Sequence, residues 1–172
     1  LSRRNMPFKG TIMAILISPM IVPLIITSAG MFFFYSKVGL THTYLGLILA
    51  HTALGTPFVV ITVTATLTGF DTNLIRASQS LGADTMRTFF KVIMPLILPG
   101  VISGALFAFI TSFDEVVVVM FVGSVEQITI PKQMWAGLRQ ETSPVILCMA
   151  ACLVALSIAL LTTVEMLRRR SE

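Results

Sequence analysis

The sequence predicts an all-α, polytopic membrane protein, and three observations predict it. Of 172 residues, 55% are hydrophobic and only 12% are charged, about half the charged share of a soluble domain. Four apolar windows, at 11–35, 44–69, 96–122 and 145–167, each exceed the roughly 20 residues that a transmembrane helix needs. Three of the charged residues lie inside these windows. We therefore interpret residues 1–172 as one transmembrane domain with four spans.

The first two windows are not uniform lipid-facing helices. Pro19 and Pro23 predict a kink in the first window, because proline frees a carbonyl that must find a partner inside the protein. The aromatic run 32–35 fits an interfacial belt, with a gate lining as the alternative. The second window holds His51 and several threonines, so we expect it to face helices or a water-filled path. His51 is interpreted as an interhelical hydrogen-bonding residue rather than a proton relay.

The segment 71–95 between the second and third windows predicts two short helices. Asp71 is a plausible N-cap of the first helix, Gly82 ends it, and Asp84 caps the second. Pro95 and Pro99 mark the entry into the third window. Two helices around a glycine at the membrane surface form a protrusion that suits docking into a groove of a cytoplasmic partner.

Basic residues indicate the orientation of the chain. Nine of the twelve lie in segments 1–10, 70–95 and 168–172, and three lie in the links 36–43 and 123–144. Positively charged short loops stay in the cytoplasm. Both ends of this chain and the 70–95 segment are therefore expected to be cytoplasmic.

Several functional classes are disfavoured by the residues present. The basic residues flank spans instead of forming a soluble basic face, so no nucleic-acid partner is expected. Phosphate-binding GxxxxGK[ST] loops, metal-ligand clusters and nucleophile–base pairs are missing from the sequence, which predicts no catalytic site and no metal site. Cys148 and Cys152 are expected to serve packing.

Residues 76–95 resemble the signature loop of the binding-protein-dependent, MetI-like ABC importer permeases. In that loop a Glu-Ala-Ala triplet is followed by three residues, a glycine, nine residues, and an aliphatic residue, any residue, leucine and proline. Here 76–78 reads Arg-Ala-Ser, the glycine is Gly82, and 92–95 reads Val-Ile-Met-Pro. The spacing matches throughout, and the departures are arginine for glutamate, serine for the second alanine and methionine for leucine.

The resemblance implies a type I ABC importer permease fold in which this loop is the coupling helix. It seats in a cleft of a cytoplasmic ABC ATPase dimer, which holds ATP and Mg, so that the permease itself binds no cofactor. The residues to which the resemblance gives this role are Leu74, Arg76, Ala77, Ser78, Leu81, Gly82, Ala83 and Pro95. The other implied partners are a second permease subunit, identical or different, a periplasmic or extracellular solute-binding protein, and the lipid of the bacterial inner membrane.

Two further stretches look like the polyamine branch, the spermidine and putrescine importers. These are Phe113-Asp114-Glu115 and the outer loop 128–144 with its Ile-Pro-x-x-Met-Trp segment. Family members have six spans, and this chain begins at Leu1. The chain is therefore expected to be the carboxy-terminal four spans, incomplete at its amino terminus.

Candidate substrate and partner contacts follow from this resemblance. Intramembrane carboxylates are costly and usually face a cavity, so we expect Asp114 or Glu115 to draw a cationic substrate into the pathway. The alternative is that the pair caps an interrupted helix or pairs with a basic residue of the second permease. Trp135 and Arg139 are candidates for binding-protein contact, with an interfacial anchor as the alternative for the tryptophan.

Three functional alternatives remain open from the sequence. The first is an ABC permease for another small solute such as ferric ion or sulfate. The second is an ion-driven secondary transporter, which predicts uptake without an ATPase. The third is a purely structural membrane-assembly subunit, which would show no solute dependence.

Overall fold

The computed structural model describes residues 6–140 and 144–171, with side chains except those of 139–140, 164–165 and 167–171. Throughout these ranges the regular elements are helices, which confirms the predicted all-α class. A π-helical turn, Phe89–Ile93, joins α5 to α6. The α-helices are α1 (Lys9–Ile21), α2 (Leu24–Val38), α3 (Tyr44–Thr68), α4 (Asn73–Ser80), α5 (Thr85–Thr88), α6 (Met94–Phe113), α7 (Val117–Val122), α8 (Ile130–Gln140) and α9 (Pro144–Ser171).

Among the described residues, three helical stretches are long and apolar enough to cross a membrane: Tyr44–Thr68, Thr85–Phe113 and Pro144–Thr163. A fourth candidate is the pair α1 and α2, which meets the same criteria only when both helices are taken together. The apolar window of α9 buries none of its residues against the rest of the described chain. Its surface is left to lipid or to further protein.

The first apolar window is broken more sharply than the predicted kink. The chain direction bends by 108° between α1 and α2. Val22 and Pro23 between them have extended ψ angles of 136° and 131°, because the residue before a proline avoids the helical region and the proline ring collides with the preceding turn. The chain therefore turns at this point instead of bending within one helix.

The third apolar window is interrupted as well. Helix α6 ends at Phe113, and the short helix α7 begins at Val117. The α7 valines Val118, Val119 and Val122 are fully buried, and they pack with residues of α2 and α3 in one apolar core. The segment 117–122 therefore forms part of the protein interior rather than the outer end of a straight span.

Helices α3 and α6 form the most extensive helix pair, and small residues let their backbones approach closely. A Cβ atom added to Gly104 would lie 2.8 Å from the Val59 Cα and would also collide with the Thr62 hydroxyl. A Cβ atom added to Gly100 would collide with the Thr66 side chain. Such small-residue contacts are typical of membrane helix interfaces, where packing rather than the hydrophobic effect drives association.

Five of the six threonines of α3 donate their hydroxyl groups to carbonyls of their own helix. Thr56, Thr62 and Thr66 each donate to the carbonyl four residues earlier, at 2.7 to 3.0 Å. These hydroxyl groups therefore do not require partners on other helices. Thr62 and Thr66 face α6, whereas Thr52 and Thr56 line open space between the helices.

Candidate functional site

The predicted coupling loop begins with a turn that differs by one residue from the expected cap. The N-cap of α4 is Thr72, not Asp71. The Asp71 carboxylate accepts a hydrogen bond from the Asn73 N–H at 2.9 Å, which is the short-range turn that aspartate commonly makes. Asp71 therefore still fixes the start of the helix, from one position further out.

The end of α4 is a Schellman motif centred on Gly82. The Ala83 N–H donates to the Ser78 carbonyl at 3.1 Å, and the Gly82 N–H donates to the Gln79 carbonyl at 3.0 Å. Gly82 has φ of 82°, a left-handed conformation that glycine adopts without strain. The predicted helix end at this glycine is confirmed, and it turns the chain back toward the membrane.

The return arm begins at the predicted cap. The Asp84 carboxylate accepts from the Arg87 N–H at 2.7 Å, and helix then runs through the π turn to Phe113, 29 residues in all. At about 1.5 Å per residue this is roughly 43 Å, whereas the hydrocarbon core is about 30 Å thick. The helix is therefore long enough to cross the membrane and to carry the coupling loop beyond it.

The π turn lies directly before Pro95. The Met94 N–H donates to the Phe89 carbonyl, one residue further back than in an α-helix. Proline lacks an N–H and its ring collides with the carbonyl four residues earlier, here that of Lys91. Widening the turn accommodates this ring without breaking the helix.

A buried hydrogen bond joins the two arms of the loop. The Ser78 Oγ on α4 and the Thr88 Oγ1 on α5 are 2.8 Å apart, and the two side chains are 9% and 2% exposed. The Ser78 hydroxyl also donates to the Ile75 carbonyl at 3.1 Å. Both arms are thereby fixed to each other through polar groups that water does not reach.

The other residues assigned to coupling by resemblance mostly point outward. Leu81 at the tip is 89% exposed, and Ala83 is partly buried. Besides Leu81, the residues that are exposed to solvent are Leu74, Arg76, Ala77, Gly82 and Pro95. The loop therefore presents an apolar tip and a basic side chain, while Ser78 faces inward.

On the opposite side, hydrogen bonds hold the 39–43 link to the segment after α7. The His42 N–H donates to the Val122 carbonyl at 2.9 Å, and the buried Gln127 amide donates to the His42 carbonyl at 3.1 Å. The Lys132 ammonium donates to the Ser124 carbonyl at 2.7 Å. We call this set, His42 with 122–132, the outer clasp; it joins two links that the sequence placed on the same face.

The two carboxylates of the interrupted third window have different environments. Glu115 is buried, and from the position before the N-cap Val116 its Oε1 accepts from the Val118 N–H at 2.8 Å, which satisfies a free N–H in the first turn of α7. Asp114 is exposed. The substrate role expected for these residues stays a prediction, and the capping alternative agrees with the hydrogen bond of Glu115.

A groove of about 1000 Å³ lies between α3, α6 and residues 126–131. His51 lies on its wall, and its Nδ1 is 2.8 Å from the Ser112 Oγ of α6, which confirms the predicted interhelical hydrogen bond. Asp114 and Glu115 are not among the residues that line the groove. Its polar lining residues are His51, Thr52, Thr56, Ser112, Glu126, Gln127 and Thr129.

Glu126 is the carboxylate that lies on this groove, and the sequence analysis did not single it out. The residue is exposed and follows Ser124, whose hydroxyl accepts from the Glu126 N–H at 3.2 Å. Nothing in its local sequence distinguishes it from an ordinary surface residue of a link. Only the fold of the 123–132 segment back onto α3 brings it to the groove.

The two residues expected to contact a binding protein lie on α8. Trp135 is about half exposed, whereas the side chain of Arg139 lies outside the described residues. Cys148 and Cys152 are exposed on α9. Among the described residues, no group of three or more His, Cys, Asp or Glu side chains is close enough together to hold a metal ion.

Comparison with known proteins identifies a family and several relatives of this chain. Residues 2–172 match the family described as binding-protein-dependent transport system inner membrane component. The chain is 30% identical over 164 residues to the spermidine/putrescine transport system permease protein PotC of Haemophilus influenzae, covering 95% of this chain and 64% of that protein. It is 29% identical over 167 residues to PotC of Escherichia coli K12, covering 96% and 62%.

A third relative is the putrescine transport system permease protein PotI of Escherichia coli K12. Its identity is 28% over 145 residues, which cover 80% of this chain and 51% of that protein. The chain thus spans less than two thirds of the length of each of these three relatives. Since the family match extends over almost every residue, this chain belongs to the binding-protein-dependent transport system inner membrane components.

Proposed function

We propose that this chain is the membrane-spanning subunit of an ATP-driven ABC importer and that it moves polyamines such as spermidine or putrescine inward. The observation that carries the proposal is the coupling loop: an exposed helix–turn–helix, capped at both arms, that continues directly into a membrane-spanning helix. A rigid protrusion of this kind suits a groove on a cytoplasmic partner. The partner is an ABC ATPase dimer, which binds and hydrolyses the ATP.

The mechanism couples the ATPases to the spans. When the ATPase dimer closes on ATP, the loop moves with it, and the helix that ends at Phe113 changes its position relative to its neighbours. The solute-binding protein delivers the substrate on the outer side, near the outer clasp, and a second permease subunit completes the pathway. In this orientation the coupling loop and both ends of the chain are cytoplasmic, as the nine basic residues favour.

The polyamine assignment has two supports. The relatives named above carry spermidine and putrescine, or putrescine, in their names. The groove also combines groups that suit an amphipathic cation, namely the Glu126 carboxylate, the Thr52 and Thr56 hydroxyls and the Phe109 and Phe113 rings. Carboxylates attract ammonium groups, and aromatic faces attract cations.

The test of the proposed function uses the full-length permease, purified with its associated proteins. We expect an ABC ATPase to co-purify and spermidine or putrescine to raise ATP hydrolysis when the binding protein is present. Leu81→Asp should abolish ATPase recovery, because it places a charge on the exposed apolar tip. Val125→Asp is the matched control, since Val125 is 87% exposed on the opposite side. Recovery of no ATPase by the unaltered protein would refute the proposal and would favour a secondary transporter or an assembly subunit.

Three acidic variants test the pathway. Asp114→Asn and Glu115→Gln examine the pair expected from the sequence, and Glu126→Gln examines the carboxylate on the groove. We expect Glu126→Gln to reduce polyamine uptake more than Asp114→Asn at equal expression. Equal uptake by all three variants and the unaltered permease would refute a carboxylate-guided pathway in this chain.

A further inference from the structure

We infer that Ser78 and Thr88 act as a pair of positioning residues that hold the coupling loop rigid, so that movement of the ATPase reaches the spans without being absorbed in the loop. This inference rests on the proposed function for its transport consequence. Its structural basis is the hydrogen bond between the two hydroxyls, which are 2.8 Å apart and almost fully buried. Ser78 stands where the resembling loop has alanine, a residue that has no hydroxyl to make this contact.

The hydrogen bonds run in one direction through the pair. Each hydroxyl has one proton. Because the Ser78 hydroxyl donates to the Ile75 carbonyl, the Thr88 hydroxyl donates to the Ser78 Oγ. A chain of three groups thus links the first turn of α5 to the backbone of α4, and each donor is satisfied.

The position of the pair makes it important for rigidity. Between Ser80 and Thr85 the connection is a short turn held by the backbone hydrogen bonds of Gly82 and Ala83, and the Ser78–Thr88 contact adds a side-chain link between the arms behind this turn. Arm α4 would contact the ATPase, and arm α5 continues into the spanning helix. A contact between the arms, behind the turn, determines whether they move as one body.

Removing either partner has an asymmetric effect. Ser78→Ala leaves the Thr88 hydroxyl buried without a partner, and an unsatisfied buried donor is costly. Thr88→Val leaves Ser78 bonded to Ile75 but removes the link between the arms. Thr88→Ser keeps the hydroxyl and is the conservative variant.

The experiment compares these variants in the full importer, reconstituted in vesicles with its ATPase and binding protein. We measure spermidine moved per ATP hydrolysed, together with hydrogen exchange of the 73–88 backbone. Ser78→Ala and Thr88→Val should each lower this ratio by about threefold to tenfold, the effect expected from loss of one buried hydrogen bond. Both should also speed exchange in α4, whereas the thermal stability of the spans should not change.

The controls separate a specific contact from general loosening. Ser80→Ala removes an exposed hydroxyl of the same helix, which donates to the Arg76 carbonyl, and should leave the ratio unchanged. Thr88→Ser should also retain it. The double variant Ser78→Ala, Thr88→Val should resemble the single variants, since all three lack the same link.

Unchanged exchange and an unchanged ratio in Ser78→Ala would overturn the inference. Full recovery of the ratio in the double variant would overturn it too, because an apolar contact would then suffice. If the unaltered permease recovers no ATPase, the proposed function fails, while the exchange measurement still decides whether the pair stabilises the loop.

Discussion

The close contact of α3 with α6 can be tested at Gly104. An alanine Cβ at this position would lie 2.8 Å from the Val59 Cα, whereas ordinary contacts begin near 3.4 Å. The Thr62 hydroxyl also stands in the way, but a side chain can rotate and a backbone atom cannot. Gly104→Ala therefore requires the two helices to move apart by about 0.6 Å at this point.

The expected free-energy change has two opposing contributions. Alanine stabilises a helix relative to glycine by roughly 0.5–1 kcal/mol. Overpacking of a close interface costs about 1–3 kcal/mol. At the centre of both ranges the free energy of unfolding should therefore fall by about 1 kcal/mol, which shifts the unfolding equilibrium roughly fivefold, and by at most about 2.5 kcal/mol.

The assay is unfolding of the purified protein in detergent micelles, followed by circular dichroism as denaturant is added. Gly30→Ala is the matched control, because Gly30 lies within α2 and a Cβ there would meet no atom within 4 Å. That control should be neutral or slightly stabilising. Gly104→Ala with the stability of the unaltered protein would refute the close packing of α3 on α6.

Three further predictions concern single hydrogen-bonding or backbone features. Gly82→Ala should destabilise the turn after α4 by about 1–2 kcal/mol, since φ there is 82°. The loss should appear as faster hydrogen exchange at the end of α4, and unchanged exchange would contradict the left-handed turn. Glu115→Ala should lower the free energy of unfolding by about 0.5–2 kcal/mol through loss of the α7 cap, whereas Glu115→Gln keeps an acceptor oxygen and should lose less; equal losses in thermal unfolding would argue against capping. Gln127→Leu should lower the free energy of unfolding by about 1–3 kcal/mol, because it leaves partners in the outer clasp unpaired. The rate of hydrogen exchange in the 39–43 link should rise, and an unchanged rate would show that the clasp does not hold this link.

Features set by local rules could be predicted from the sequence. The end of α4 at Gly82 and the cap at Asp84 depend on residues within one or two turns, and both were predicted correctly. The shift from Asp71 to Thr72 at the start of α4 is a difference of one residue. The apolar windows likewise predicted the helical class, because lipid leaves few ways to satisfy a backbone.

The breaks in the spans could not be placed as well. Pro19 and Pro23 signal a disturbance, yet the angle of 108° depends on what α1 and α2 pack against. The valines at 116–119 resume the hydropathy of α6 directly after Asp114 and Glu115, and one apolar window therefore covers both helices. Only the burial of α7 against α2 and α3, with Glu115 as its cap, explains why the helix stops.

The groove depends on tertiary structure even more strongly. His51 attracted attention because it is a polar residue in an apolar window, and it does lie on the groove. Glu126, by comparison, is a polar residue in a link that is itself polar, so its residue type does not stand out. Glu126 is far from α3 in the sequence, and the outer clasp brings it next to that helix. Residue type and spacing therefore did not predict its position.

The contacts along the helical stretch Thr85–Phe113 determine where a displacement of the loop would be felt. At the loop end, the pair Ser78 and Thr88 ties α4 to a helical stretch that runs to Phe113. Further along this stretch, Gly100 and Gly104 let the α6 backbone approach α3 closely, against Thr66, Thr62 and the Val59 Cα. The first interruption comes at 114–116, beside the groove and before the buried helix α7. A displacement of the loop should therefore reach the groove before it reaches the outer clasp, which places the largest change in shape at the lining that contains His51 and Ser112.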